Sequence, residues 1–255
     1  MKNGFLAFCL SIGLIFGTAM LPATPPQVIM VVPKVTPQAM LDISVMVVGK
    51  GSVGSGVLFV RGKDAYVLTA THVIASLKEK KDGKVRYQPA TIKQRIMKRG
   101  VFVGNIQLSA TVVRVSDMHN SYDLALLKVA SGKHFKRGAV IYRGLIPQIG
   151  TKVCHVGSLQ GPIGEGSFSE GIVSQHYRSF PGAGVHLDQT TAIIYPGSSG
   201  GGMFLPNGQL VGIVTRGIGP GIAFYVPTRL VLRWAKQSGI EWVFDSSGVM
   251  PPKKL

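Results

Sequence analysis

The stretch Gly197-Ser198-Ser199-Gly200-Gly201 sets a hydroxyl among glycines, inside the longer run DQTTAIIYPGSSGGGMFLPNGQLVGIV. A serine held in a tight glycine turn presents its hydroxyl outward and aims nearby backbone N–H groups at one point. That is equipment for acyl transfer, with Ser199 as nucleophile and the N–H groups of Gly197 and Ser199 as the pocket for the developing oxyanion. The same residues also read as a flexible surface loop. Their setting favours the chemical reading, because Tyr195-Pro196 lead into the turn and a strand-like run, Gln209–Val214, follows it.

A serine hydroxyl is a poor nucleophile at neutral pH and needs a base within hydrogen-bond reach, itself oriented by a carboxylate. Of the 6 histidines, His72 in LTATHVI follows a buried-looking strand and stands at the edge of a core. His119, His134, His155, His176 and His186 lie in polar, turn-like or strand contexts and read as surface or core residues. Asp123 heads the apolar strand DLALLKV, where a carboxylate can be half-buried and point back at His72. Asp117 and Asp188 are weaker candidates, since no such strand follows either. Each of these residues also has a purely structural reading, as a strand-start turn or a core filler. The 2 cysteines, Cys9 and Cys154, offer no disulfide framework and no metal-spaced set, so no metal or cofactor is expected. Cys154 reads as a small buried hydrophobe.

Short apolar runs punctuated by 33 Gly and 15 Pro predict an all-β chain. Ile43–Val48, Gly56–Arg61, Ala65–Thr69, Leu108–Val115 and Leu124–Val129 form a first set of strands. Lys152–Val156, Gly171–Tyr177, Val185–Thr190, Gln209–Val214 and Gly221–Val226 form a second. Thr228–Gln237 is an amphipathic helix with Leu230, Val231 and Trp234 on one side. At the N-terminus, Met1-Lys2-Asn3 and an apolar run from Phe5 to Leu21 follow the secretory-signal pattern, with an uncleaved membrane anchor as the alternative. Residues 22–40 are Pro-rich and read as a linker.

The formal net charge is +17, from 28 Lys+Arg against 11 Asp+Glu. Residues 78–99 carry much of it and should contain a hairpin turning at Asp82-Gly83. Such a segment suits an anionic surface or nucleic acid, or it is a solvated face without a partner. With Tyr87 alone among its basic residues, base stacking is poorly supported.

GSGVLFV and AYVLTATHVI, then YDLALLKV, then QTTAIIYPGSSGG, NGQLVGI and GIAFYVPT together resemble a trypsin-fold serine endopeptidase, most closely of the HtrA (Deg) branch. The resemblance covers about residues 43–235 and keeps the order His, Asp, Ser. It implies two six-stranded antiparallel Greek-key β-barrels and a C-terminal helix, with the site in the cleft between the barrels. The implied division is a barrel over 41–140, a barrel plus helix over 141–240, and a tail over 241–255. His72 becomes general base, Asp123 its orienting carboxylate and Ser199 the nucleophile acting on a protein or peptide substrate.

Two departures matter. HtrA relatives usually carry Asn before the nucleophile and digestive relatives Asp, whereas this chain has Ser198, which cannot form the ion pair that activates the latter. The short stretch after the helix leaves no room for the PDZ module common in the HtrA branch, so none is expected. In the trypsin fold the residue six before the nucleophile floors the pocket for the side chain preceding the cleaved bond; here that is Ile193, with Ile213-Val214-Thr215 as a wall and Arg216 just beyond. Small and medium aliphatic side chains should be preferred. The other readings are a protease-fold binding protein without activity and a polyanion or membrane-surface binder using residues 78–99.

Overall fold

The computed structural model describes residues 35–117, 119 and 121–245; the apolar N-terminal segment, most of the Pro-rich stretch and residues 246–255 lie outside them. After a short helix α1 (Pro37–Leu41) come β1 (Ser44–Val48), β2 (Val53–Arg61) and β3 (Asp64–Thr69), then a small hairpin of β4 (Lys78–Lys81) and β5 (Lys84–Tyr87). The strands β6 (Ala90–Lys98), β7 (Val101–Val115) and β8 (Ala125–Val129) follow. β1, β2, β3, β8, β7 and β6 close, in that order, into an antiparallel barrel.

A second set comprises β9 (Val140–Ile141), β10 (Lys152–Leu159), β11 (Gly164–Arg178), β12 (Leu187–Thr190), β13 (Gly202–Phe204), β14 (Gln209–Gly219) and β15 (Ile222–Pro227). Its order is β13-β10-β11-β12-β15-β14, and pairing of β13 with β14 closes the ring into a second six-stranded barrel. β9 adds to β14 in parallel from outside. Helix α2 (Thr228–Gln237) follows β15 directly. No helix among the described residues is long and apolar enough to cross a membrane.

The barrels share one core. Alternate side chains of β2 and β3 (Val57, Phe59, Tyr66, Leu68) face Val156, Phe204, Ile213, Phe224 and Val226 of the second barrel. The intervening residues Leu58, Ala65 and Val67 fill the first barrel's interior. Such strands are buried on both faces, so they read in sequence as unbroken apolar runs rather than as alternation. α2 adds Leu230, Val231 and Trp234 to the shared core.

Two stretches differ from the sequence expectations. Residues 37–40, read as linker, belong to α1, capped by Thr36 and anchored by buried Met40. Residues 241–244, read as tail, form a 3-10 turn whose Phe244 packs edge-on against Phe59 (4.8 Å) and whose Trp242 meets Tyr66 (5.3 Å). The apolar cluster Trp242-Val243-Phe244 would otherwise face water. The basic segment 78–99 contains the expected hairpin, β4–β5, turning at Asp82-Gly83. It then holds the whole of β6, which pairs with β7 through a second turn at Arg99-Gly100.

Candidate active site

His72 lies in a 3-10 helix, Thr71–Leu77, that leaves the end of β3 and buries Val73, Ile74 and Leu77 in the first barrel. Thr71 pins its start, donating its hydroxyl to the carbonyls of Ser116 and Leu124, both at 2.8 Å. Asp123, 3% exposed, precedes β8 with φ of 55°, a left-handed conformation uncommon for a non-glycine residue. That backbone turn brings both carboxylate oxygens to His72. Oδ1 accepts from the His72 N–H at 3.0 Å and Oδ2 meets Nδ1 at 2.7 Å. A carboxylate only accepts, so Nδ1 carries the proton and the Nε2 lone pair is left to act as a base. Asp117 lies beside this pair through its backbone alone, its carbonyl accepting from Asp123 N–H at 3.1 Å. Asp188 is elsewhere, buried in the second barrel with Arg229 on both oxygens at 2.7 and 2.8 Å and His176 Nδ1 at 2.9 Å.

The turn carrying Ser199 is clamped from both barrels. Ser55 of β2, fully buried, donates its hydroxyl to the Gly197 carbonyl (2.6 Å) and accepts from Ser158 N–H of β10 (2.7 Å). Its own N–H reaches the Ser199 carbonyl at 2.7 Å. Ser198, 1% exposed, closes the turn on itself, its Oγ accepting from Tyr195 N–H at 3.1 Å. Gly197 has φ of 93°, and any Cβ there would strike the Ser158 carbonyl, so only glycine fits. The N–H groups of Ser198, Gly200 and Gly201 are consumed inside the fold by Tyr195, Val214 and Ser198 carbonyls. Among the described residues, those of Gly197 and Ser199 donate to no backbone carbonyl. The Ser199 hydroxyl itself donates to the Thr215 carbonyl over a long 3.4 Å.

Beside Ser199 opens a cavity of about 430 Å³, lined by Ile194, Tyr195, Pro196, Thr215, Arg216, Gly217 and Phe180, among others. Of the residues expected to shape it, Thr215 and Arg216 are there. Ile213 and Val214 are fully buried and turn into the shared core and the second barrel's interior. Ile193 is 48% exposed and lies outside the lining, while its neighbour Ile194 reaches across the cavity: a Cβ on Gly217 would come within 2.6 Å of its Cδ1. Ile193 and Ile194 lie on opposite sides of the chain, because one residue reverses the side of an extended segment. Arg216 is 22% exposed, with Nη2 at 3.9 Å from Asp123 Oδ2 and its guanidinium 5.4 Å from the Phe180 ring centre.

Behind the nucleophile turn lies His155, fully buried on β10, with Nδ1 on the Gly202 carbonyl at 3.1 Å and Nε2 without a hydrogen-bond partner. Burial pushes this imidazole down to about 4. Ser55, Ile194, Phe180 and His155 were not singled out as site residues in the sequence. For Ser55 the signal was the Gly-Ser-Gly heading a strand; the others carried none. No cluster of three or more His, Cys, Asp or Glu among the described residues could hold a metal ion.

Residues 54–213 match the model of the trypsin-like peptidase domain. The chain belongs to that family. It is 33% identical over 190 residues to a probable periplasmic serine endoprotease, DegP-like, of Hahella chejuensis, covering 71% of this chain and 34% of that one. It is 36% identical over 135 residues to the magnetosome formation protease MamE of Paramagnetospirillum magneticum, covering 49% of this chain and 18% of that one. It thus spans about a third or less of these curated relatives. Among solved structures, an inactive form of Rv3671c from M. tuberculosis H37Rv superposes with a TM-score of 0.60 at 18% identity, over 85% of this chain and 95% of that one. The serine endoprotease from Yersinia pestis gives 0.59 at 23% identity, over 80% and 66%. At such identities the likeness is one of fold.

Proposed function

We propose that the protein is an exported serine endopeptidase working through His72, Asp123 and Ser199. The observation that carries the proposal is the paired contact of Asp123 with His72, on the ring at 2.7 Å and on the backbone at 3.0 Å, next to a clamped glycine turn with two unspent N–H groups, where a Cβ on Gly200 would lie 3.0 Å from the Ala70 nitrogen at the start of the His72 helix. In this mechanism the Ser199 hydroxyl turns from the Thr215 carbonyl toward His72 Nε2, gives up its proton and attacks the scissile carbonyl. The oxyanion is held by the Gly197 and Ser199 N–H groups, each such donor being worth about 10²–10³ in kcat. The imidazolium, steadied by Asp123, then protonates the leaving amine, and water hydrolyses the acyl-enzyme by the same route.

The cavity beside Ser199 supports a preference for small and medium aliphatic side chains, because Ile194 crosses it and its walls are mostly apolar. A charged side chain entering it without a partner would lose several kcal/mol of hydration. Arg216 is the one cation on that wall and would favour acidic over basic residues near the cleaved bond. Export rests on the positive start and apolar run at the N-terminus and on the periplasmic naming of the DegP-like relatives.

Ser199→Ala decides the proposal. Removing the nucleophile of a coupled triad costs on the order of 10⁶ in kcat, so casein hydrolysis should vanish while the fold persists. A fluorophosphonate probe should label Ser199 and nothing else. Retention of more than a few per cent of activity by the variant would overturn Ser199 as the nucleophile, whereas a wild type that neither hydrolyses casein nor takes the label would move the protein to the inactive, binding-protein reading.

A further inference from the structure

The β6–β7 hairpin runs past the barrel it belongs to. β6 pairs with β1 only as far as Lys93, and β7 pairs with β8 only from Ala110 onward. Between these limits the two strands pair with each other alone, to a turn at Arg99-Gly100 where both residues have positive φ. At a rise of about 3.3 Å per residue the free ribbon projects roughly 15 Å.

Its tip exposes three successive apolar residues, Val101 (63%), Phe102 (47%) and Val103 (51%). In a globular protein a contiguous apolar projection of this kind marks a contact surface. Cations surround it. Lys98 and Arg99 are exposed at the turn, and the Arg95 guanidinium lies over the Phe102 ring at 4.6 Å. The groove at the base of the ribbon is lined by Arg95, Met97, His134, Lys136 and Arg137. On the ribbon's other side, Arg95 and Met97 share a cavity with Ile163, which is 91% exposed. Only Asp42 and Glu165 bring negative charge to the walls of these two hollows, and burial raises Glu165 toward its neutral form.

We infer that the β6–β7 tip is a docking element for an anionic lipid surface. An apolar fingertip ringed by Lys and Arg matches an interface where acyl chains lie just beneath negative headgroups. Nucleic acid fits less well, because a lone Phe already stacked on Arg95 offers no row of aromatic platforms and Val101 and Val103 would gain nothing from bases. The charge of β4–β5 is a separate feature. That hairpin ends at Tyr87, beside the start of β6 and far along the strand from its tip.

The test is co-sedimentation of the full chain with vesicles of phosphatidylcholine alone and of equal phosphatidylcholine and phosphatidylglycerol. The apolar segment 5–21 contributes equally to every variant, so each is compared with wild type on both vesicles. The wild type should partition at least tenfold more strongly onto the anionic vesicles, less so as salt rises. The pair Lys98→Glu, Arg99→Glu should abolish that preference, each basic residue near such a surface being worth about fivefold. Val101→Ser with Phe102→Ser should weaken binding to anionic vesicles several-fold while leaving retention on heparin or duplex DNA unchanged. All three proteins should keep the same melting temperature, since the substitutions are exposed. The inference is overturned if wild type shows no preference for phosphatidylglycerol, if charge reversal leaves it within twofold, or if the serine pair changes nothing and the tip proves a polyanion contact only.

Discussion

Ser55→Ala tests how the nucleophile turn is held. The hydroxyl removed is fully buried and bridges the two barrels, donating to the Gly197 carbonyl at 2.6 Å and accepting from Ser158 N–H at 2.7 Å. Alanine keeps the Cβ and adds no bulk, so the loss is confined to these two bonds. Each strands a buried backbone group, at about 1–3 kcal/mol apiece, which sums to about 2–4 kcal/mol once partial relaxation is allowed. For a domain of this size that lowers the melting temperature by roughly 4–16 °C. The Gly197 peptide is also freed to tilt, and its N–H is one of the two proposed oxyanion donors. Catalysis should therefore fall in kcat, by about 10²-fold if that donor is lost, with KM nearly unchanged because the cavity wall is untouched. The assays are urea unfolding followed by Trp234 and Trp242 fluorescence, and steady-state kinetics on a short peptide well below the melting temperature. A stability loss under 0.5 kcal/mol, or a rise in KM with kcat intact, would refute this account of the clamp.

Asp123→Asn should cut kcat/KM about 10⁴-fold by favouring the wrong His72 tautomer, whereas Asp188→Asn should leave kcat near wild type and destabilise the fold, because it breaks a buried pair with Arg229; if Asp188→Asn were the more damaging to turnover, the carboxylate assignment would fail. His155 makes the fold acid-sensitive: its pKa falls from 6.5 to about 4 on folding, so the unfolded chain binds more protons between these values and stability drops as pH falls through that window. The loss should reach about 3 kcal/mol near pH 4 and be absent above pH 7; in urea unfolding at pH 7.5 and 4.5, the wild type should lose about 2–3 kcal/mol more unfolding free energy than His155→Leu between the two pH values. Ile194→Ala should deepen the cavity and raise kcat/KM for a Phe substrate relative to a Val one about tenfold, read in a matched peptide pair, while Ile193→Ala should leave the ratio unchanged.

Strands buried on both faces and the helix Thr228–Gln237 were legible in the sequence because burial writes itself as composition. A doubly covered strand such as β3 is an apolar run, and an amphipathic helix shows its period. β6 was not legible as a strand, because Gln94 occupies an inward position, its Nε2 bonding the Asp42 carbonyl at 2.6 Å, and this breaks the alternation with Ile92. The pattern of residue types named candidate groups for acyl transfer, but distances were decided by the fold. Ser55 and Gly197 are 142 residues apart and His72 and Asp123 are 51 apart, and only closure of the barrels brings each pair within hydrogen-bond reach. The side-chain direction of Ile194 against Ile193 was likewise set by the local path of the turn after β12. Linear spacing records neighbours along the chain, whereas hydrogen bonding and packing act between neighbours in space.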